Sequence, residues 1–260
     1  MRLFDSHCHL QDARLLPAVD DVVRRAAAAG VERMLCCGSA EDDWKDVLSL
    51  SVRYGSVIPA LGLHPFYTAQ RSPAWMKTLR GLLRDSGASI GEIGLDHSRE
   101  PRDEEDQEEV FLAQLALATE LGRPASIHCR KAWGRMIELL RSGKTPSAGM
   151  VFHSYSGPAE LVGPLADMGA YFSFSGSITR AGNQRGHKAV VSVPSDRLLL
   201  ETDSPDLRPT VEGTARQDEP NEPANLLHVA RKVAQLRGAT VEEVAARAWQ
   251  NAVRLFAAGA

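Results

Sequence analysis

Six side chains of types that bind metal ions are spread over five separate segments of the chain. Four are histidines and two are carboxylates, at positions His7, His9, Glu92, His128, His153 and Asp203. Imidazole and carboxylate ligands together suit Zn²⁺, Mn²⁺, Fe²⁺ or Ni²⁺ better than Ca²⁺, which prefers oxygen ligands. These ligand types do not distinguish the four ions from one another or from Mg²⁺. Because one catalytic metal keeps about three protein ligands and an open position, six ligands predict two divalent cations per chain.

Short apolar runs that are typical of strands precede or contain the six residues. Eight such runs recur about every 30 residues, which is the length of one βα unit. They span Leu3–Phe4, Val31–Cys37, Val57–Leu63, Ser89–Leu95, Ala125–His128, Met150–His153, Ala170–Phe174 and Leu198–Thr202. Alternating strands and helices predict a parallel α/β sheet, and eight units favour a closed (β/α)8 TIM barrel over an open sheet. No linker or low-complexity tract interrupts the sequence, so we expect a single domain over residues 1–260.

Residues that begin and end helices lie between the strand runs. The acidic run Asp103–Asp106 begins a helix that Gly122 ends, because carboxylates complement the N-terminal end of the helix dipole and glycine suits the C-terminal cap. The segment Thr240–Glu243 is a capping box before the last helix. The one long loop, Ser204–Pro220, has a length that is often functional.

The positions of the six residues relative to the strands predict that they converge. In a (β/α)8 barrel the carboxyl ends of the strands meet at one rim, where the active site lies. Side chains two apart on a strand point to the same face, so we expect His7 and His9 to face the barrel mouth and Cys8 to face the helices. Glu92 lies on a strand between the two ends of the ligand set. It is therefore our candidate for a carboxylate that bridges two metals.

Seven segments in a fixed order carry a resemblance to a known family, and they reach from residue 4 to residue 223. They are Phe4–Leu10, Gly62–Pro65, Ile90–Asp96, His128–Arg130, Phe152–Gly157, Leu200–Pro205 and Asn221–Pro223. In these segments the chain resembles the TatD-type metal-dependent deoxyribonucleases, a branch of the amidohydrolase-like barrels.

The resemblance implies a division of the ligands between two metals. His7 and His9 would bind one metal, and His128 and His153 the other. Glu92 would lie between the metals, and Asp203 would hold a metal and the attacking water. The implied substrate is DNA, as single strands or 3′ ends, from which nucleotides are removed in the 3′ to 5′ direction.

The reaction that we expect is metal-assisted hydrolysis, with Asp203 and Glu92 as catalytic residues. A metal lowers the pKa of its bound water toward about 7, which supplies hydroxide at neutral pH. Asp203 is expected to accept the proton of this water. Charge that develops on the phosphate is stabilised by the metals, with help from Arg130 or His64.

Three further residues are candidates for substrate binding or for support of the ligands. His64 follows the third strand run and is expected to contact substrate, with helix capping as the alternative. Arg130 follows His128 closely and can give a bidentate contact to a phosphate, with a surface salt bridge as the alternative. Asp96 can orient a ligand histidine, since such histidines usually donate their second ring N–H to a carboxylate or a carbonyl.

Net charge leaves room for other functions of the same site. The formal charge of −3 argues against extended duplex binding, which usually requires a basic surface. One alternative is a hydrolase of a small amide, lactone or phosphoester. Another is a catalytically idle barrel that serves as a partner subunit.

Cysteine usage and hydropathy predict the compartment. The four cysteines show no C-x-x-C pair or disulfide framework, so we expect reduced thiols in a cytoplasmic protein. No apolar run approaches the length of about 18 residues that a membrane span requires. We expect no membrane contact, and a monomer or a weak oligomer.

Overall fold

A computed structural model describes residues 1–211 and 219–256 of the chain. Within these residues eight strands form one parallel sheet, and they pair in the order in which they occur along the chain. The strands are β1 (Leu3–Cys8), β2 (Val31–Cys37), β3 (Val57–Leu61), β4 (Ser89–Asp96), β5 (Ala125–Arg130), β6 (Met150–Phe152), β7 (Ala170–Phe174) and β8 (Leu198–Leu200). This is the order of a nearly closed (β/α)8 barrel, so the predicted fold class is confirmed.

Nine α-helices accompany the strands in the described part of the chain. They are α1 (Val19–Ala28), α2 (Trp44–Arg53), α3 (Trp75–Ser86), α4 (Glu104–Leu121), α5 (Trp133–Ser142), α6 (Val162–Asp167), α7 (Gln184–Ser192), α8 (Leu226–Arg237) and α9 (Val241–Phe256). Short 3₁₀ turns occupy Leu16–Ala18, Thr68–Gln70, Ala159–Leu161, Gly176–Thr179 and Pro223–Asn225. Among the residues described, no helix is long and apolar enough to cross a bilayer.

Helix caps follow the sequence signals. The Asp103 carboxylate accepts a hydrogen bond from the Asp106 N–H at 3.0 Å, which caps the start of α4. Gly122 ends that helix in the left-handed conformation, at φ 62°. In the predicted capping box, the Glu243 carboxylate accepts from the Thr240 N–H at 2.9 Å, and the Thr240 hydroxyl accepts from the Glu243 N–H at 3.2 Å. The middle of the predicted loop Ser204–Pro220, residues 212–218, lies outside the described residues.

Strand ends differ from the prediction at the rim that carries the candidate ligands. The predicted first strand reaches His9, whereas β1 ends at Cys8, and β6 and β8 end before His153 and Asp203. Those two ligands therefore lie on loops that leave the sheet. Apolar runs do not reveal these ends, because the last hydrogen bond of a parallel ladder depends on the neighbouring strand.

The end of the barrel opposite the ligands is filled by apolar side chains. Phe4, Leu35, Val151 and Leu199 belong to one cluster, although their strands lie on different sides of the ring. Residues from opposite sides of a barrel meet only inside it, so this cluster is the barrel interior. Helix α9 covers it through aromatic contacts with Phe4, and the Trp249 ring lies 5.9 Å from the Phe4 ring. The polar residues are thereby confined to the other end.

The seam between β1 and β8 is held by side chains as well as backbone. The buried Asp5 carboxylate accepts hydrogen bonds from the Thr202 N–H at 2.9 Å and from the Thr202 hydroxyl at 2.5 Å. Burial raises the pKa of Asp5 to about 8, although the Thr202 donors lower it. Nearby, the Ser6 hydroxyl donates to the Leu200 carbonyl at 2.9 Å and the Asp203 N–H donates to the His7 carbonyl at 3.0 Å. These contacts fix the loop after β8 against the end of β1.

We expect Asp5→Ala to lower the free energy of unfolding by about 2–4 kcal/mol, because it leaves the buried Thr202 N–H without an acceptor and leaves the Thr202 hydroxyl only Ser204 Oγ at 3.0 Å. Asp5→Asn keeps one carbonyl acceptor and is expected to cost about 1 kcal/mol or less. Urea unfolding with a chelator present measures both values without a contribution from bound metal. Two equal values for the alanine and asparagine variants would contradict this role of Asp5.

Candidate metal centre

The carboxyl ends of five strands bring the six candidate ligands to one end of the barrel. His7 lies in β1 and His9 directly follows it, while Glu92 lies in β4 and His128 in β5. His153 and Asp203 follow β6 and β8. Three overlapping groups of these donors, one of which includes His64, have ligand atoms within 4.8 Å of one another. The chain therefore gathers nitrogen and oxygen donors at the spacing that a metal ion requires.

One group of donors surrounds the first side of Glu92. The Nε2 atoms of His7 and His9 lie 3.2 Å apart, and each lies 3.4 Å from Glu92 Oε2. Asp203 Oδ1 lies 3.9 Å from His7 Nε2 and 3.6 Å from His9 Nε2. Ligands at about 2.0–2.2 Å from a tetrahedral ion are separated by about 3.3–3.6 Å, so this group fits one cation.

A second group surrounds the other oxygen of the same carboxylate. Glu92 Oε1 lies 2.7 Å from His153 Nε2 and 2.9 Å from His128 Nδ1, and these two nitrogens are 3.1 Å apart. Each oxygen of Glu92 thus faces a different pair of histidines. This is the arrangement expected of a carboxylate that bridges two metals.

The ring nitrogens that point away from the centre meet partners in three of the four ligand histidines. His9 Nδ1 donates to the Cys37 carbonyl at 2.8 Å, and His128 Nε2 donates to the Asp96 carboxylate at 2.8 Å. His7 Nδ1 lies 3.0 Å from the Ser126 hydroxyl. Such partners hold the ring in place and leave the other nitrogen with a lone pair for a metal.

His153 completes the set with a longer contact. Its Nδ1 atom faces Glu201 Oε1 across 3.6 Å, and neither of these buried atoms has a hydrogen-bond partner in the described structure. The other Glu201 oxygen accepts a hydrogen bond from the Ser173 hydroxyl. Glu201 and Ser126 are absent from the residues that the sequence predicted. Strand periodicity could have indicated that they face the same side as the ligands, since each lies two residues before a candidate ligand.

Charges in the centre are strongly coupled. Burial raises the pKa of Glu92, but the positive charge of His153 and the hydrogen bonds from His128 and His153 outweigh it, and the pKa falls well below its usual value. Burial also opposes ionisation of Asp203, whose pKa is nevertheless lowered by its hydrogen bond with His9. Burial lowers the pKa of His9, yet Asp203 and Glu92 raise it to about 10. Both carboxylates are therefore ionised at neutral pH.

His64 lies beside the second group but has a different character. Its Nε2 atom is 3.4 Å from Glu92 Oε1, and its Nδ1 atom accepts a hydrogen bond from the Phe66 N–H at 3.1 Å. Burial lowers the pKa of His64 to about 3, so the ring is neutral. A neutral ring that accepts at Nδ1 carries its proton on Nε2. His64 therefore presents an N–H donor to the centre, and not a lone pair for a metal.

The two remaining candidates occupy different surroundings. Arg130 is exposed and lines the cavity above the centre. Asp96 is buried and does not line that cavity, and its carboxylate contacts His128 and the Ser98 N–H. The structure thus places Asp96 where it orients a ligand, away from the position of a bound substrate. All four cysteines are free and buried.

The centre opens into a cavity of about 1200 Å³. His9, Glu92, His128, His153 and Asp203 form part of its floor. A cavity of this size exceeds what one small ligand fills, since pockets for drug-sized molecules have volumes of about 300–1,000 Å³.

Comparison with known proteins places the chain in a family. Residues 4–257 match the family described as TatD related DNase. The chain belongs to the TatD family. This confirms the resemblance inferred from the seven motifs.

Several known proteins are similar to this chain over nearly their full length. The uncharacterized metal-dependent hydrolase YabD of Bacillus subtilis strain 168 is 33% identical over 257 residues, which cover 98% of both chains. The 3′-5′ ssDNA/RNA exonuclease TatD of Erwinia tasmaniensis is 36% identical over 259 residues, which cover 98% of this chain and 99% of the relative. The crystal structure of YJJV, a TatD homolog from Escherichia coli K12, matches with a TM-score of 0.92 at 27% identity and covers 98% of both chains. This TatD-family chain is therefore a metal-dependent hydrolase.

We expect Ser126→Ala to weaken the binding of one metal by about 10–100-fold and to leave the other unchanged, because only His7 loses its nearest outer partner and keeps the weaker contact with Cys37 Sγ at 3.4 Å. Titration calorimetry with Zn²⁺ or Mn²⁺ measures both affinities. Ser51→Ala, on α2 and in contact with the Leu48 carbonyl, is the matched control. Equal affinities in Ser126→Ala and the control would refute this role.

Metal binding is also expected to release at least one proton per chain at pH 7. The pKa of His9 is about 10 without a metal, so a proton must leave its ring at any lower pH before a metal binds there. Apparent affinity should therefore fall as pH falls, by about tenfold per pH unit for each proton released. Calorimetry in buffers of different ionisation enthalpy counts the protons, and a binding enthalpy that is independent of the buffer would contradict the expectation.

Proposed function

We propose that this protein hydrolyses phosphodiester bonds at the 3′ end of single-stranded DNA, using two divalent cations that share Glu92. The observation that carries the proposal is the pair of donor groups on the two oxygens of one buried carboxylate, at the floor of an open cavity. Two metals held about 3.5–4 Å apart are typical of enzymes that displace a group at phosphorus. The identity of the ions stays open among Zn²⁺, Mn²⁺, Fe²⁺, Ni²⁺ and Mg²⁺.

Each ligand has a proposed place in this centre. His7, His9 and Asp203 would hold one cation and His128 and His153 the other, and Glu92 would serve both. Ser126, Asp96 and Glu201 orient the rings of His7, His128 and His153 from outside. Bound cations would lower the pKa of water and offset the negative charge that grows on the phosphate during hydrolysis.

Asp203 is the proposed general base. Its side chain is 14% exposed and lines the cavity, so a water molecule can reach it. Its lowered pKa keeps the carboxylate ionised and ready to accept a proton at neutral pH. The backbone bond from the Asp203 N–H to the His7 carbonyl holds it beside the first donor group. A proton taken from the attacking water then passes to the leaving 3′-oxygen or to solvent.

Two residues are proposed to bind the phosphate. The His64 Nε2–H points into the centre and can donate to a non-bridging phosphate oxygen as charge builds there. Arg130 stands at the cavity wall, where its guanidinium can bind the same phosphate through two hydrogen bonds. Removal of either side chain is expected to raise the activation barrier to hydrolysis without altering the candidate metal ligands.

Two observations favour DNA as the substrate. The cavity is larger than a small-molecule pocket, and relatives of 33–36% identity are named 3′-5′ ssDNA/RNA exonucleases. A small amide, lactone or phosphoester is the second candidate, because other relatives of 33–35% identity are named only as uncharacterized metal-dependent hydrolases. An idle barrel that acts as a partner subunit is disfavoured by the complete donor set.

We expect Asp203→Asn to lower kcat on single-stranded DNA with a free 3′ end by about 10²–10⁴-fold, since the amide cannot accept the proton. Asp85→Asn, at an exposed carboxylate on α3 that does not line the cavity, is the control and should stay within about threefold of wild type. Metal content and circular dichroism are measured for both proteins.

The same preparations are assayed on a panel of lactones, amides and small phosphoesters. If one of these compounds turns over faster than DNA, and Asp203→Asn abolishes that turnover, the second candidate function replaces the first. Equal rates for wild type and Asp203→Asn on every substrate would support the idle barrel.

A further inference from the structure

The mouth of the cavity carries opposite charges on its two sides. Arg130, Arg180 and Arg185 line one side, Arg130 at the end of β5 and the other two after β7, and we call these three residues the arginine side. Asp12, Asp42 and Asp43 line the other, on the segments that follow β1 and β2. The formal charge of −3 for the whole chain hides this local division.

The guanidinium groups of the arginine side are available. Arg130, Arg180 and Arg185 are exposed, and their guanidinium groups form no ion pair or hydrogen bond with residues 1–211 or 219–256. Arg14 also lines the cavity, but Asp12 and Asp206 hold its guanidinium at 2.9 Å and 2.8 Å. Arg99 lines the cavity too, and its guanidinium lies 3.7 Å from the centre of the Phe66 ring. Availability therefore separates the arginine side from the other two arginines at the mouth.

The segment that carries Arg180 and Arg185 is held by its own hydrogen bonds. The side-chain oxygen Oδ1 of Asn183 accepts a hydrogen bond from the Gly186 N–H at 3.0 Å. The side-chain nitrogen Nδ2 of Asn183 donates to the Ser177 carbonyl at 3.1 Å. The His187 ring contacts the Ile178 carbonyl at 2.9 Å. A fixed backbone limits the entropy lost when arginine side chains bind a ligand, so these two positions are suited to binding.

We propose that Arg180 and Arg185 bind the phosphates of a single strand on the 5′ side of the bond that is cut. This inference rests on the proposed function and deepens it. A strand whose terminal phosphodiester lies at the metal centre must leave the cavity over one side of the mouth. Its phosphates are attracted by the arginine side and repelled by Asp42 and Asp43, so the strand crosses the segments after β5 and β7.

A path of this kind determines the substrate class. Phosphates beyond the one being cut contribute binding energy only in an oligonucleotide of several residues. The preferred substrate is then a short single strand, and not a mononucleotide ester. Each phosphate bound to arginine adds about 0.7 to the slope of log affinity against log salt for single strands.

The test measures strand binding separately from hydrolysis. Asp203→Asn protein with verified metal content is titrated into a fluorescent oligothymidylate of about eight nucleotides, at about 50 and 200 mM salt, and anisotropy is recorded. Adding Arg180→Ala and Arg185→Ala should weaken binding at least about tenfold at the lower salt and reduce the salt slope by about 1.4. Arg24→Ala with Arg247→Ala removes the same charge from two helices outside the cavity and should leave both values unchanged.

The binding measurements either support or contradict the strand path. Equal affinity and slope in the two double variants would overturn it, and so would a parent protein that does not bind the strand. Wild-type protein is assayed for hydrolysis of the same strand in parallel. Binding that depends on Arg180 and Arg185 without hydrolysis would support the strand path and refute the proposed exonuclease, whereas hydrolysis with unchanged binding would refute only the path.

Discussion

One buried carboxylate, Glu92, is the interaction on which the rest of the site depends. Its side chain is about 5% exposed, and an isolated charge in such a position costs several kcal/mol. Five histidines lie within 3.4 Å of its two oxygens and offset that cost. Because they come from four segments of the chain, their convergence requires the strand ends to be held in register.

The barrel meets this requirement by dividing its interior. Phe4, Val151 and Leu199 pack with α9 at one end, so that apolar burial stabilises the ring without using the other end. At the polar end, Asp5 and Thr202 join β1 to the segment after β8 and so place Asp203 beside His7. The apolar residues that stabilise the barrel and the residues of the candidate metal centre thus lie at opposite ends of one sheet, as is general for this fold.

The sequence predicted more of the site than of its surroundings. The spacing of His7 and His9, and of the eight apolar runs, was sufficient to anticipate the barrel and the set of ligands that meets at its mouth. Strand periodicity places Ser126 and Glu201 on the same face as the candidate ligands, but which histidine each one contacts depends on neighbouring segments of the barrel that no local pattern contains. The same holds for the proton position on His64, which the Phe66 N–H sets, and for the pairing of Arg14 that leaves other arginines free.

The most direct measurement of the central claim is anomalous diffraction from crystals grown with excess Mn²⁺. The account predicts two peaks about 3.5–4 Å apart, one on each oxygen of Glu92, with His7 and His9 beside one peak and His128 and His153 beside the other. A single peak, or two peaks of which one does not contact Glu92, would contradict it.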